Sequence, residues 1–116
     1  MALSPDEIAH AAVEIASDKL AENIVMLDIR GMASFADYFV ILSAGSTRQV
    51  SALQEDLEKG LKQVGIALHH REGSAASGWV LLDFSDVIVH IFGEDEREHY
   101  QLDQLWSGAQ QVITVL

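Results

Sequence analysis

Hydrophobic residues along this chain recur with two different periods. Ile8, Ala12, Ile15 and Ala16 form one helical stripe, with Ala9, Val13 and Leu20 beside it. Ser4-Pro5-Asp6-Glu7 precedes that stripe. Ser4 can cap, Pro5 suits the first helical position and Glu7 completes a capping box, so a helix is predicted to run to Ala21 or Glu22. The pattern then changes. Asn23 to Arg30 reads as a strand ended by Gly31, and Met32 to Phe35 as a connector with at most one helical turn. Asp37 to Ser43 is apolar enough to be a central strand. Beyond Ala44-Gly45-Ser46, the positions Val50, Leu53, Leu57, Leu61 and Val64 step by three or four, the cleanest helical stripe in the chain. Ser46 is its expected cap, Gln49 the capping-box partner and Gly65 the terminator.

Ile66 to Glu72 reads as a third strand, more polar and nearer an edge, and Gly73 to Ser77 as a loop. Gly78 to Phe92 organises the rest. It is two short apolar runs joined by the polar turn Asp83 to Asp86, a predicted β-hairpin inside a sheet, covered on both faces. Period two sets Trp79, Leu81 and Asp83 opposite to Val80 and Leu82, and Ile88, His90 and Phe92 opposite to Val87, Val89 and Ile91. The Val/Ile/Leu sets are plain core. If the register brings the other two sets to one side, they make an aromatic, partly polar surface of the kind proteins bind. The competing reading makes Trp79 a core tryptophan and His90 a satisfied buried histidine. After Phe92, acidic residues from Glu94 mark a helix N-terminus, and Leu102, Leu105, Trp106 and Ala109 continue at helical spacing. The apolar tail from Val112 to Leu116 either docks as further structure or mediates self-association. The order α-β-β-α-β-β-β-α implies an α/β fold, a mixed β-sheet with flanking helices.

Composition narrows the function. The 116 residues, with one proline and no linker or repeat, are expected to form one domain, 1–116. There is no cysteine, hence no disulfide or thiol chemistry. No apolar run is long enough for a bilayer, and the acidic start Met1 to Glu7 is unlike a secretory signal, so a cytoplasmic protein without membrane contact is expected. The net charge of -11 disfavours direct binding to a phosphate backbone and favours a basic partner.

Candidate catalytic chemistry is thin. Gly45-Ser46 at a strand-to-helix turn lacks the lysine of a P-loop and the Rossmann fingerprint; a capped helix start accounts for it. A metal-dependent nucleotidyltransferase would start this way, but it needs paired carboxylates on the following strand, which here offers His69-His70-Arg71-Glu72. Asp83 and Asp86 fit ordinary turn chemistry. The five histidines have no metal-ligand spacing, and Ser46 with His90 and Asp83 is a triad only on paper. No catalytic residue, metal or cofactor is assigned.

Several motifs follow one another in order: Asp37-Tyr38-Phe39-Val40-Ile41, Gly45 to Val50, Glu72-Gly73, Trp79 to Asp83, Asp86 to Phe92, Arg97, Tyr100 and Leu105-Trp106. Together they resemble the ribosomal silencing factor, or Iojap-like, family over nearly the whole chain. The resemblance implies a nucleotidyltransferase-like fold without the catalytic carboxylates, and no enzyme activity. It implies binding to large-subunit ribosomal protein fourteen, which blocks joining of the small subunit and lowers translation when nutrients run short. Trp79 matches the family's contact tryptophan. Leu81, Asp83, His90, Phe92, Arg97, Tyr100 and Trp106 occupy motif positions around it, with Trp79 and Phe92 expected to supply apolar contact area. The chain departs from the family pattern at Ser85, where glycine is usual, and at Gln101 and Asp103 around Leu102, where a glutamate is common. The alternatives are a metal-dependent nucleotidyltransferase or a homodimeric scaffold built on the apolar tail.

Overall fold

A computed structural model describes residues 3–116; Met1 and Ala2 of the acidic start lie outside the described residues. The first helix, α1 (Pro5–Asp18), begins as its sequence requires. Ser4 Oγ accepts from the Glu7 amide, and the Glu7 carboxylate accepts from the Ser4 amide at 2.9 Å. It ends earlier than its apolar stripe. Leu20 takes a left-handed conformation (φ +64°), and the Ala21 amide reaches back to the Ala16 carbonyl at 2.9 Å. This is a Schellman stop made without glycine, which periodicity cannot reveal.

Two strands follow, β1 (Glu22–Asp28) and β2 (Tyr38–Ala44), the latter buried at every position. Helix α2 (Thr47–Gln63) presents Val50, Leu53, Leu57 and Leu61 to the core. Ser46 caps it through the Gln49 amide, but the capping box is not reciprocal: the Gln49 side chain accepts from the Gly45 amide at 3.2 Å instead. Gly65, at φ +88°, ends it in a glycine Schellman motif, with Ile66 donating to Leu61.

The third strand, β3, covers only His70–Ser74 and is exposed throughout. The predicted start at Ile66 is corrected. Ile66 and Leu68 pack sideways onto the helix-side core, ahead of the ladder. A 3₁₀ turn, Ala75–Ser77, leads into β4 (Trp79–Asp83) and β5 (Val87–Gly93). The predicted C-terminal helix is broken in two, α3 (Glu94–Tyr100) and α4 (Leu102–Leu105), by left-handed Gln101 at φ +47°. The break lets Leu102 and Trp106 turn toward the sheet and leaves Leu105 75% exposed, which an unbroken stripe would not. The tail forms a sixth strand, β6 (Gln110–Val115).

The sheet order is β3-β4-β5-β2-β1-β6. Only β2 and β5 run parallel; the other neighbours are antiparallel. One face carries Met26, Val40, Leu42, Val89, Ile91 and Leu82 beneath α1 and α2. The opposite face carries Val25, Leu27, Phe39, Ile41, Ile88, His90 and Phe92, and among the described residues no long helix covers it. The connector before β2, α4 and the segment after it close its middle, through Ala36, Leu102, Trp106 and Ala109. Its β4 side stays partly open.

Candidate functional site: an aromatic belt on the open sheet face

The hairpin register decides the site. Trp79 pairs with Phe92, Leu81 with His90 and Asp83 with Ile88. The two mixed sets of the sequence therefore share the open face. Six rings meet there in succession: Phe35 and Trp106 at 6.2 Å between centroids, Trp106 and Phe39 at 5.0 Å, Phe39 and His90 at 4.7 Å, His90 and Trp79 at 6.0 Å, Trp79 and Tyr100 at 4.7 Å. Phe92 lies under Trp79 at 4.9 Å. Most of these contacts are edge-on or tilted, the geometries that ring quadrupoles favour. The belt ends in exposed Phe35 (58%) and exposed Tyr100 (44%).

Trp79 is half-buried, neither sealed in the core nor standing free. Its inner side rests on Phe92 and Tyr100, and its Nε1–H donates to Nδ1 of His90 at 3.2 Å. With Leu81 and Tyr100 it lines a cleft of about 320 Å³, closed by Glu72, Gly73 and Ser77. Gly73 stands beside it with φ +79°; a Cβ there would run into the Trp79 carbonyl oxygen. Glycine thus permits the close pairing of β3 with β4 at this point.

Three of the eight expected contact residues do other work. Phe92 is fully buried and cannot supply contact area; it is the floor under the indole. His90, only 4% exposed, likewise touches no solvent partner. Burial pushes its imidazole down to about 4, against an opposing pull from the Asp103 charge, so it is neutral near pH 7. Since Nδ1 accepts from Trp79, the proton resides on Nε2, which has no hydrogen-bond partner among the described residues. Arg97 is committed internally. Its Nε and Nη2 grip the two Asp103 carboxylate oxygens at 3.0 and 2.9 Å, and Nη1 lies 3.5 Å from Ser43 Oγ. That fork ties α3 to α4 across the Gln101 break, and Asp103 is its anchor, not a rim charge.

The other five reach solvent: Trp79, Leu81, Asp83 and Trp106 are half-buried and Tyr100 exposed. Asp83 also holds the hairpin turn, its Oδ1 accepting from the Ser85 amide at 2.7 Å. Ser85 has φ +74°, where glycine is the unstrained choice. The sequence reading missed Phe39, which bridges Trp106 and His90, and Phe35, which extends the belt beyond Trp106; an aromatic in the short Ala33-Ser34-Phe35-Ala36 connector was the available signal.

The Gly45-Ser46 turn opens on a separate groove of about 290 Å³ whose carboxylates, Glu94, Asp95 and Glu96, come from the first turn of α3. Glu72, the carboxylate of the strand that follows α2, is on the far side of β4 and β5 from that turn. At about 4.8 Å per strand the separation is too large for a shared metal. Among the described residues no three His, Asp or Glu side chains converge on a metal position.

The family model described as "Ribosomal silencing factor during starvation" matches residues 2–115. The chain belongs to this family. Ribosomal silencing factor RsfS of Halalkalibacterium halodurans is 39% identical over 107 residues, 92% of each chain. The chloroplastic protein Iojap of Zea mays is 30% identical over 105 residues, 87% of this chain and 44% of its own. The Mus musculus protein named for mitochondrial assembly of the ribosomal large subunit is 30% identical over 98 residues, 82% of this chain and 43% of its own. A solved structure from Chromobacterium violaceum superimposes with TM-score 0.87 at 30% identity, covering 98% of this chain and 94% of that one. One from Bacillus halodurans gives 0.78 at 37% identity, covering 96% and 98%. The mixed sheet with flanking helices is thus the fold of solved silencing-factor relatives, and the aromatic belt is the open face of that sheet.

Proposed function

We propose that this silencing factor acts as one domain in the cytoplasm, binding the large ribosomal subunit through ribosomal protein fourteen. Bound there, it occupies a site the small subunit needs, and translation falls under nutrient limitation. The observation that carries this reading is the half-exposed Trp79 indole on the sheet face that, among the described residues, no long helix covers. A rigid aromatic held over buried Phe92 is the type of residue on which binding energy concentrates. Leu81 and Tyr100 extend its apolar area, Glu72 brings a carboxylate to the same cleft, and Asp83 adds another at the far end of β4. With a net charge of -11, the chain suits a cationic protein and is repelled by exposed rRNA phosphates. Blocking by occupancy needs no bond to be made or broken, so no side chain is given a catalytic role. The names of the relatives, which refer to ribosome silencing and large-subunit assembly, support the large subunit as the target.

The test is co-sedimentation with isolated subunits, followed by subunit joining. The protein is expected to pellet with large and not small subunits and to lower the joined-ribosome peak when added before the small subunit. Equal pelleting with both subunits, or an unchanged joined peak at saturation, would overturn the reading.

A further inference from the structure

The two edges of the sheet are unlike. The outer edge of β3 carries His70, Arg71 and Glu72, charges of the kind that keep stray strands from pairing. The outer edge of β6 carries none. From Gln104 to Leu116 there is no charged side chain, and no proline. Among the described residues no strand pairs with the far side of β6. One bulge, with Val112 as the extra residue, leaves Ile113–Val115 as the regular free edge. Ile113 and Val115 face the helix-side core but stay partly exposed.

Beside this edge runs a groove of about 590 Å³ between α1 and β6. Its floor is apolar, from Leu3, Ala11, Val13 and Ile113. Its rim carries Asp6, Glu7, His10 and Glu14 from α1; Asp6 lies 3.6 Å from His10 Nδ1, and among the described residues neither Asp6 nor Glu14 is tied to a lysine or arginine. A strand added to β6 would sit about 4.8 Å outside it and lower every second side chain into this groove.

We propose that the β6 edge and its groove form a second docking surface, apart from the aromatic belt, for an extended segment alternating apolar and Lys/Arg residues. Main-chain hydrogen bonds to β6 would seat the segment; its Lys/Arg side chains would enter the groove, their aliphatic stems covering Ile113 and Leu3 and their charges meeting Asp6 and Glu14, while its apolar residues would lie on the opposite face of the sheet. Charge selects this occupant over a second copy of the chain. A β6-to-β6 pairing would bring no cation to the rim and would press two chains of net charge -11 together.

The probe is a capped octapeptide of alternating valine and lysine, titrated into the full chain with the amide resonances of the protein followed by NMR. An alternating valine–glutamate peptide serves as control. The valine–lysine peptide is expected to shift Ile113–Val115 and the Asp6–Glu14 turns of α1, and the control to shift nothing. Asp6→Asn with Glu14→Gln should weaken binding about tenfold, while the equally charge-reduced Glu55→Gln with Asp56→Asn, on α2, should not. Thr114→Pro should abolish the β6 shifts, and retained amide dispersion would show that the fold survives. Absence of binding at millimolar peptide, equal weakening by both charge-reduced variants, or shifts confined to the Trp79 face would overturn the proposal. So would sedimentation showing a dimer of the free chain that Thr114→Lys dissociates, since the edge would then belong to a second copy.

Discussion

The indole N–H of Trp79 and Nδ1 of His90 lie 3.2 Å apart, and this bond links an exposed side chain to a buried titratable one. It holds His90 in its neutral form with the proton on Nε2, pressed near-perpendicular to Phe39 at 4.7 Å. A protonated His90 would present an N–H to the Trp79 N–H and lose the bond.

The consequence is a pH dependence of stability. The folded chain holds His90 at about 4 against an ordinary 6.5, so between those values the unfolded chain binds the extra proton. This contribution is fully present above pH 6.5, is lost as pH falls and levels off below pH 4. The shift corresponds to about 3 kcal/mol. Urea denaturation at a series of pH values should show a shallower acid limb for His90→Leu than for wild type. Superimposable limbs would mean that His90 titrates normally.

Arg97 and Asp103 are the second lever. Their two-pronged pair fastens α3 to α4, and Arg97 is only 13% exposed. Arg97→Ala leaves a half-buried carboxylate unpaired and frees the Gln101 break. A loss of about 1–3 kcal/mol is expected, discounted for the partial exposure of Asp103. Arg97→Lys should recover little of it, because one ammonium cannot replace the fork. Denaturant midpoints of the two variants check this. Near-wild-type stability of Arg97→Ala would show the clamp to be idle.

Ser85 offers a gain. It holds φ +74° in the hairpin turn, where a side chain is strained and glycine is not. Ser85→Gly should raise stability by up to about 1 kcal/mol, leaving the Asp83 bond to the residue 85 amide in place. Thermal melts decide it; a lowered melting temperature would contradict the strain.

Much of this arrangement was legible in the chain. The capping box at Ser4, the stripe of α2 and the alternation of the 79–92 hairpin are local signals, and the structure follows them. What was not legible depends on contacts between distant segments. Phe92 and His90 look like surface candidates until the turn of Gln101 folds α4 over the sheet. Arg97 reads as a free cation until Asp103 lies opposite it. The tail reads equally as docked structure or as a self-association segment until β1 pairs with it. Leu20 and Ser85 adopt left-handed backbone with non-glycine residues, against their local preference, so no composition rule finds them.

The central claim is that the Trp79 indole, seated on Phe92 and His90, carries the affinity for the large subunit. Trp79→Ala, shown by circular dichroism to be folded, should bind isolated large subunits about 2 kcal/mol more weakly, roughly thirtyfold in Kd. Trp79→Phe, which keeps part of the apolar area, should fall between it and wild type. A folded Trp79→Ala chain with wild-type affinity would contradict the account.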